Sequence, residues 1–187
     1  MTAKVAVLVG SLRKESVNRQ LAEALARLAR GKLEFRFLEI GNLPLYNQDL
    51  EGQPPASVVR FKAEIEAADA VLFVTPEFNR TFSGALKNAI EWGSRPWGKT
   101  SWAGKPGAIV GATPGTVGTA AGQSQLRSVV TAIDIALMAQ PEVYLNFRDG
   151  QIVEGEIADE GLRTLLTGWV ARFADWIQRV KAPALSF

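Results

Sequence analysis

Residues 5–18 read VAVLVGSLRKESVN, a short apolar run that ends at Gly10 and is followed by a polar loop. The apolar run, residues 5–9, has no polar position, which is typical of a strand buried on both faces of a sheet. After the loop, apolar residues follow a helical spacing from position 17 to position 28, and Gly31 ends the helix. This stretch therefore predicts a strand, a loop and a helix.

Short apolar runs and helical spacings continue to alternate along the rest of the chain. The further predicted strands are residues 33–37, 70–74, 107–112 and 136–145, the last broken near Pro141; the further predicted helices are residues 61–68, 84–92, 126–133 and 162–177. Such alternation predicts an α/β fold in which helices cover both faces of a parallel sheet. We expect one domain over residues 1–187, with five parallel strands between two helical layers.

The loops at one edge of this sheet are expected to form a site. In an open parallel sheet, ligands bind outside the carboxyl ends of the strands, where the connecting loops meet. The predicted loops at that edge are residues 10–18, 75–82 and 112–122. We therefore expect these three loops to converge.

The composition removes several kinds of chemistry, because the 187 residues include no cysteine and no histidine. Disulfides, thiol nucleophiles, histidine metal sites and Ser-His-Asp triads are excluded, and no metal site is predicted. Lys and Arg number 21 against 19 Asp and Glu, a net charge of +2 without long basic runs. Anionic small molecules are thus favoured over nucleic acid as partners; no membrane segment is predicted, and a cytoplasmic location is expected.

The polar loop after the first strand offers donors for a phosphate. Ser11 and Ser16 carry hydroxyls, Arg13 carries a guanidinium, and the loop opens a helix whose first turn has free N–H groups. The alternative is that Ser16 only caps the helix and Arg13 is a solvated surface charge. No Gly-x-Gly-x-x-Gly motif is present, so a monophosphate is favoured over a dinucleotide.

Residues 93–100, GSRPWGKT, match the Walker A pattern Gly-x4-Gly-Lys-Thr letter for letter. A true P-loop follows a strand and opens a helix. This string instead follows the predicted helix 84–92 and leads into a strand. We therefore interpret it as a chance match.

The second and third loops carry residue types that suit either a flat ligand or an ordinary turn. The second loop contains Pro76, Glu77, Phe78 and Asn79, which offer a fixed turn, an aromatic face and an amide. The third loop, residues 112–118, is rich in glycine, which lets backbone N–H groups approach a planar ring or simply gives flexibility. On the residues alone, both interpretations stay open.

Four motifs in order give the chain a family likeness: GSLRKESVN after the first strand, PEFN after the third, SGALKNAIEW in the next helix, and the Gly/Thr loop after AGKPGAIVGA. Together they resemble the NAD(P)H-dependent FMN reductase family from residue 5 to about residue 180. The resemblance implies a flavodoxin-like fold, FMN as cofactor and NAD(P)H as electron donor. It also implies an enzyme that passes two electrons to quinones, free flavin or oxidised metal ions such as chromate or ferric complexes, by a ping-pong mechanism.

The resemblance further implies which residues hold the cofactor, with the chemistry carried by FMN and no catalytic side chain. The first loop would hold the phosphate, the second would lie along the isoalloxazine ring, and the third would close on its pyrimidine side. The implied cofactor-binding residues are Ser11, Leu12, Arg13, Lys14, Glu15, Ser16, Val17, Asn18, Pro76, Glu77, Phe78, Asn79, Ala112, Thr113 and Gly115. Phe78 replaces the family's usual tyrosine, which keeps the aromatic face and loses a hydroxyl.

The sequence also bears on the assembly of the protein and on two other possible functions. The resemblance implies a homodimer or homotetramer, and Trp97 and Trp102 are candidates for its contacts, with burial inside one subunit as the alternative. A flavodoxin-type electron carrier that does not oxidise NAD(P)H is a second reading, although the basic charge balance is unlike the acidic surface usual in such carriers. A phosphate-binding or P-loop module is the third.

Overall fold

A computed structural model describes residues 2–181. A parallel sheet forms the centre of the protein. The main strands are β1 (Ala3–Val9), β2 (Leu33–Phe37), β3 (Ala70–Val74) and β4 (Pro106–Thr113). They lie in the order β2–β1–β3–β4 and all pair in parallel, with Val5 opposite both Phe35 and Ala70. All five residues of β3 are buried, as expected of a strand covered on both faces.

The fifth position of the sheet is filled by two short strands. These are β5 (Ala136–Leu137) and β6 (Tyr144–Asn146), and both lie parallel to β4. Pro141 lies between them, and proline cannot donate the N–H that a continuous ladder requires. The predicted break near Pro141 is confirmed.

Helices cover both faces of the sheet, which confirms the predicted three layers. Within residues 2–181 they are α1 (Val17–Leu28), α2 (Ala56–Glu66), α3 (Gly84–Ser94), α4 (Ala120–Ala132) and α5 (Glu160–Lys181). Leu25 of α1 and Phe173 of α5 belong to the core on one face. Phe61 of α2, Leu86 of α3 and Leu126 of α4 belong to the core on the other. None of the helices in this part of the chain is long and apolar enough to cross a bilayer.

The sequence misplaces two helix starts and misses two small elements. Helix α2 begins at Ala56, five residues before the predicted start at position 61. Helix α4 begins at Ala120, six residues before the predicted start, because residues 120–125 include no large apolar side chain to reveal a helical spacing. A hairpin of β7 (Ile152–Val153) and β8 (Glu156–Ile157), and a 3₁₀ turn at Gln48–Leu50, are absent from the prediction. Strands of two residues are too short to show an alternating pattern.

The two tryptophans considered for a subunit contact lie in different environments. Trp102 is fully buried, and its indole N–H donates to the Ile90 carbonyl at 3.1 Å. Gly93 makes room for that ring, since a Cβ at Gly93 would lie 2.3 Å from it. Trp97, in contrast, is 88% exposed. Of the two interpretations weighed from the sequence, burial inside the subunit is therefore confirmed for Trp102, and a subunit contact stays a prediction for Trp97.

Candidate functional site

The three predicted loops are neighbours at the carboxyl ends of β1, β3 and β4. The backbone N–H of Gly10 donates to the Val74 carbonyl at 2.8 Å. A Cβ at Gly10 would lie 2.5 Å from Ser83 Oγ, and a Cβ at Gly111 would lie 2.5 Å from the Thr75 carbonyl oxygen. Only glycine permits approaches this close, so these two residues allow the loops to meet.

Ser16 caps the helix that follows the first loop. Its side chain is buried, and its Oγ accepts a hydrogen bond from the backbone N–H of Arg19 at 3.2 Å. The capping role weighed from the sequence is therefore correct. It does not use up the hydroxyl, because a serine hydroxyl can accept and donate at the same time.

The rest of the first loop presents a set of free donors. Within residues 2–181, the backbone N–H groups of positions 11–18 have no hydrogen-bond acceptor. The Arg13 side chain is 68% exposed and lines, with Ser11, a groove of about 490 Å³. Unpaired N–H groups at the positive end of a helix, together with a hydroxyl and a guanidinium, form a donor set that fits a phosphate.

Asn18 ties the first loop to the third. Its side-chain N–H donates to the Ala112 carbonyl at 2.9 Å, and its side-chain oxygen accepts from the Ala112 N–H at 2.9 Å. Both residues are buried. The polar groups of Asn18 therefore hold Ala112 in place, and the direct cofactor contacts implied for these two residues stay predictions.

The second loop contains a tight hairpin at residues 78–81. The backbones of Phe78 and Thr81 exchange hydrogen bonds of 2.9 and 3.0 Å. Between them, Asn79 and Arg80 have φ angles of 51° and 67°, the left-handed conformation of a type I′ turn. The hairpin leaves the Phe78 side chain 54% exposed at the edge of the site.

Glu77 links the second loop to α4. One of its carboxylate oxygens accepts from the backbone N–H of Gly122, in the first turn of α4, at 3.0 Å. The residue before this helix, Thr119, makes no side-chain cap of its own. Glu77 therefore supplies the cap from a neighbouring loop, and its negative charge suits the positive end of the helix.

The third loop is held at its tip by β6. The side-chain N–H groups of Asn146 donate to the carbonyls of Pro114 and Gly115 at 3.0 and 2.8 Å. The Thr113 hydroxyl oxygen also accepts from the Gly115 N–H at 3.2 Å. These bonds fix the path of the glycine-rich segment. From the sequence alone, this segment could be either a loop that faces a ligand or a flexible loop.

The implied cofactor-binding residues divide by exposure. Leu12, Arg13, Lys14, Glu15, Phe78, Asn79 and Gly115 are exposed; Ser11, Val17, Glu77 and Thr113 are half-buried; Ser16, Asn18, Pro76 and Ala112 are buried. All lie in the loops that the structure brings together. Their contacts with a cofactor stay predictions.

Sequence reasoning missed the residues that support these loops. Asn146, Gly122 and Gln125 each make or permit a contact that positions a loop. A partial signal existed for Asn146, because it follows a strand that ends at the same edge of the sheet. No pattern in the sequence indicates that Gln125 reaches the second loop.

The Walker-like string, residues 93–100, has the wrong polarity for a phosphate site. Lys62 Nζ donates to the backbone carbonyls of Gly93, Arg95 and Lys99, at 3.3, 2.7 and 3.1 Å. A P-loop surrounds an anion with N–H groups, whereas this loop surrounds a cation with carbonyl oxygens. The interpretation as a chance match therefore agrees with the geometry.

The strand order defines the class of protein. A parallel sheet in the order β2–β1–β3–β4–β5, with helices on both faces and phosphate-type donors after β1, is the flavodoxin-like arrangement. The chain belongs to the NADPH-dependent FMN reductase family, whose sequence model matches residues 3–149. Membership confirms the expectation of an enzyme that uses FMN, with NAD(P)H as electron donor.

Individual proteins that are similar to this chain carry names consistent with this family. The chain is 48% identical over 179 residues to a 2-hydroxy-1,4-benzoquinone reductase from Burkholderia sp., covering 95% of this chain and 98% of that protein. It is 45% identical to a quinone reductase from Pseudomonas putida, covering 95% and 96%. Among solved structures, the flavoenzyme FerB, an NAD(P)H:(acceptor) oxidoreductase from Paracoccus denitrificans, has a TM-score of 0.93 at 45% identity, covering 95% of this chain and 98% of that one.

Proposed function

We propose that this protein carries two electrons from NAD(P)H, through bound FMN, to quinones. The observation that carries the proposal is the donor set of the first loop, where unpaired N–H groups, Ser11 and Arg13 lie together at the start of α1. The names of the relatives supply the acceptor class, since two of them are quinone reductases.

Each loop has a distinct task in this proposal. Ser11, Arg13, Ser16 and the N–H groups of the first loop hold the FMN phosphate. The second loop, with Phe78, borders the ring, and backbone N–H groups of the third loop stabilise negative charge on its pyrimidine side. When bound, FMN supplies two-electron chemistry by accepting a hydride from NAD(P)H and giving electrons to the acceptor.

The chain itself needs few reactive groups. With no histidine and no cysteine, it has no side chain whose ordinary pKa lies near neutrality. Protons for the reduced acceptor therefore come from water. The protein anchors the phosphate and leaves the space beside Phe78 open to flat molecules. At the tip of the second loop, the charged side chain is that of Arg80.

The acceptor range and the kinetic order extend the proposal. Free flavin, chromate and ferric complexes are further acceptors, because an open site with an exposed aromatic residue selects weakly among oxidants. Donor and acceptor use one space in turn, so the kinetics are ping-pong. Parallel lines in double-reciprocal plots at several quinone concentrations support this order, and intersecting lines contradict it.

A homodimer or homotetramer in the cytoplasm, where NAD(P)H is available, is also part of the proposal. Three large apolar side chains in the loops of the site are exposed: Leu12 at 59%, Phe78 at 54% and Val117 at 49%. Exposed apolar side chains of this kind favour a subunit contact. Light scattering on the purified protein measures the assembly, and a monomer at micromolar concentration contradicts it.

Colour is the direct test of the cofactor. The purified protein, supplied with FMN and then freed of excess by gel filtration, is expected to retain flavin absorbance and to bleach when NADPH or NADH is added without oxygen. Addition of 1,4-benzoquinone is expected to restore the absorbance. A protein that retains no FMN refutes the proposal, and one that retains FMN without bleaching is an electron carrier.

A further inference from the structure

We propose that Gly122 and Gln125 of α4 are positioning residues that set the place of the 78–81 hairpin and thereby determine which acceptors fit beside Phe78. The inference rests on the proposed function, because it takes Phe78 to border the acceptor space. It adds two residues that lie outside the implied cofactor-binding set and act on the second loop through hydrogen bonds and close packing.

The hairpin has a backbone conformation that needs external support. Asn79 tolerates the left-handed region well, but Arg80, at a φ of 67°, occupies a conformation that favours glycine. A two-residue turn with an arginine at this position is strained, and such strain persists when surrounding contacts fix the backbone. The contacts that fix it come from α4.

Gln125 holds both sides of the turn. Its side-chain N–H donates to the Arg80 carbonyl at 2.9 Å, and its side-chain oxygen accepts from the Thr81 hydroxyl at 2.6 Å. One amide thus fixes the strained residue and the residue after it. One turn earlier on the same helix, the Gly122 N–H bonds to Glu77, just before the hairpin.

Gly122 sets how closely the hairpin approaches the helix. A Cβ at this position would lie 3.1 Å from both the carbonyl carbon and oxygen of Thr81, and 3.2 Å from the Phe82 nitrogen. These are backbone atoms, which cannot rotate away as a side-chain end can. A methyl group at position 122 therefore displaces the second strand of the hairpin by a few tenths of an ångström.

Such a displacement changes the acceptor space and leaves the phosphate loop alone. Phe78 and Thr81 are bonded to each other through both backbone N–H groups, so Phe78 moves with Thr81. The first loop is tied to Ala112 through Asn18, which is a separate connection. FMN retention and acceptor choice should thus respond differently.

The test compares Gly122→Ala and Gln125→Ala with two matched controls on α5. Gly168→Ala makes the same change at a helical glycine where, within residues 2–181, nothing lies within 4 Å of the added Cβ, and Gln178→Ala removes an exposed glutamine amide. The measured quantities are kcat and KM for 1,4-benzoquinone and for the larger 2-methyl-1,4-naphthoquinone, together with FMN affinity and the flavin absorbance spectrum.

The expected result is a change in acceptor preference that exceeds any change in FMN affinity, because the loop implied to hold the phosphate has its own connection through Asn18. The ratio of kcat/KM between the two quinones should change by at least about threefold in Gly122→Ala and Gln125→Ala. A displacement of reacting groups by a few tenths of an ångström lowers the rate less than a displacement by a full ångström does. In Gln125→Ala the loosened hairpin should favour the larger quinone. Gln125→Glu keeps the acceptor for Thr81 and loses the donor to Arg80, so it should be intermediate.

An unchanged ratio in both α4 variants, with FMN bound, overturns the inference. If Gly122→Ala does not fold, Gln125→Ala decides, because its hydrogen bonds are exposed and their loss should be tolerated. If the unaltered protein binds no FMN, it is the proposed function that fails, and this outcome is visible before any variant is made. An equal shift in the α5 controls also overturns the positioning role.

Discussion

Single polar side chains, more than extended ladders, connect the loops of the site. Asn18 joins the first loop to the third, Glu77 joins the second loop to α4, and Asn146 holds the tip of the third. Each pairs a side chain with backbone groups at the ends of strands or helices, where regular pairing stops. The shape of the site therefore depends on a few residues.

Replacing Asn18 with alanine should lower the free energy of unfolding by about 2–4 kcal/mol. The substitution leaves both the N–H and the C=O of Ala112 without partners in a buried place, and each unsatisfied group costs roughly 1–3 kcal/mol. Urea unfolding followed by circular dichroism measures the loss. Asn42→Ala, at an exposed position, is the control; equal effects of the two substitutions would show that the Asn18 bonds stabilise nothing.

Arg13→Ala should weaken FMN binding by about 10- to 100-fold while the protein stays folded. A charge-assisted hydrogen bond to phosphate contributes roughly 1.5–3 kcal/mol, and Arg13 is exposed, so that its loss opens no cavity. Quenching of FMN fluorescence on binding gives the affinity. Arg30→Ala, beyond the opposite end of α1, is the matched control, and an Arg13 variant with unchanged affinity would remove this residue from the phosphate site.

At the residue scale, the sequence predicted the loops better than the tasks of the residues in them. A polar side chain in a ligand-binding loop has the same sequence signature whether it contacts the ligand or holds the loop. Asn18 and Glu77 both use hydrogen-bonding atoms on neighbouring backbone. Gln125 lies 45 residues from its partner Arg80, a separation over which one sequence carries no pairing signal.

At the scale of elements, burial decides what can be predicted. Strand β3 was located to the residue because all five of its side chains are buried, and the apolar run reproduces that burial directly. The first turns of α4 pack through Gly122 and Gln123, which an apolar pattern does not reveal. The β7–β8 hairpin is held by only four residues, too few for any periodicity.

Asp69 joins three elements at the edge of the sheet opposite to the site. Its carboxylate accepts hydrogen bonds from the Lys181 ammonium at the end of α5 and, at 2.7 Å, from the Lys4 backbone N–H in β1. The pKa of the Asp69 carboxyl is lowered, first by the Lys181 bond and then by the Lys4 bond. A carboxyl with a lowered pKa in the folded state stabilises the fold above its unfolded pKa, and this contribution is lost as the pH falls through the folded pKa.

Asp69→Asn should therefore destabilise the protein by roughly 0.5–1 kcal/mol near pH 7, and the difference should shrink as the pH falls below about 4. Unfolding in urea at pH 7, 5 and 3 measures it. Asp175→Asn, on the exposed side of α5 and without an ion pair among residues 2–181, should show no such dependence. A constant difference between Asp69→Asn and the unaltered protein at all three pH values would contradict the assignment.

At the scale of the whole molecule, the missing residue types constrain the pH dependence of turnover. With neither histidine nor cysteine in 187 residues, no side chain with an ordinary pKa between 6 and 8 can supply protons to the acceptor. The rate of reoxidation of the NADPH-reduced protein by 1,4-benzoquinone should therefore be flat between pH 6 and 8. Stopped-flow absorbance measures it.

A sharp titration in that range, once titration of the flavin itself is subtracted, would reveal a proton donor in the protein and would contradict proton supply from water. A matched measurement with ferricyanide, which takes up electrons without protons, is the control for pH effects on the flavin itself. A titration seen with the quinone alone would locate the donor at the acceptor step.

Trp97 differs from the other tryptophans in exposure, so its fluorescence can be separated from theirs by quenching. Trp92, Trp102 and Trp169 are at most 2% exposed, Trp176 is half-buried, and Trp97 is 88% exposed in the loop that leads into the amino end of β4. A water-borne quencher such as iodide reaches this indole first. The quenchable part of the intrinsic emission therefore reports mainly on the surface far from the three loops of the site, and Trp97→Phe leaves only the emission of the buried and half-buried tryptophans.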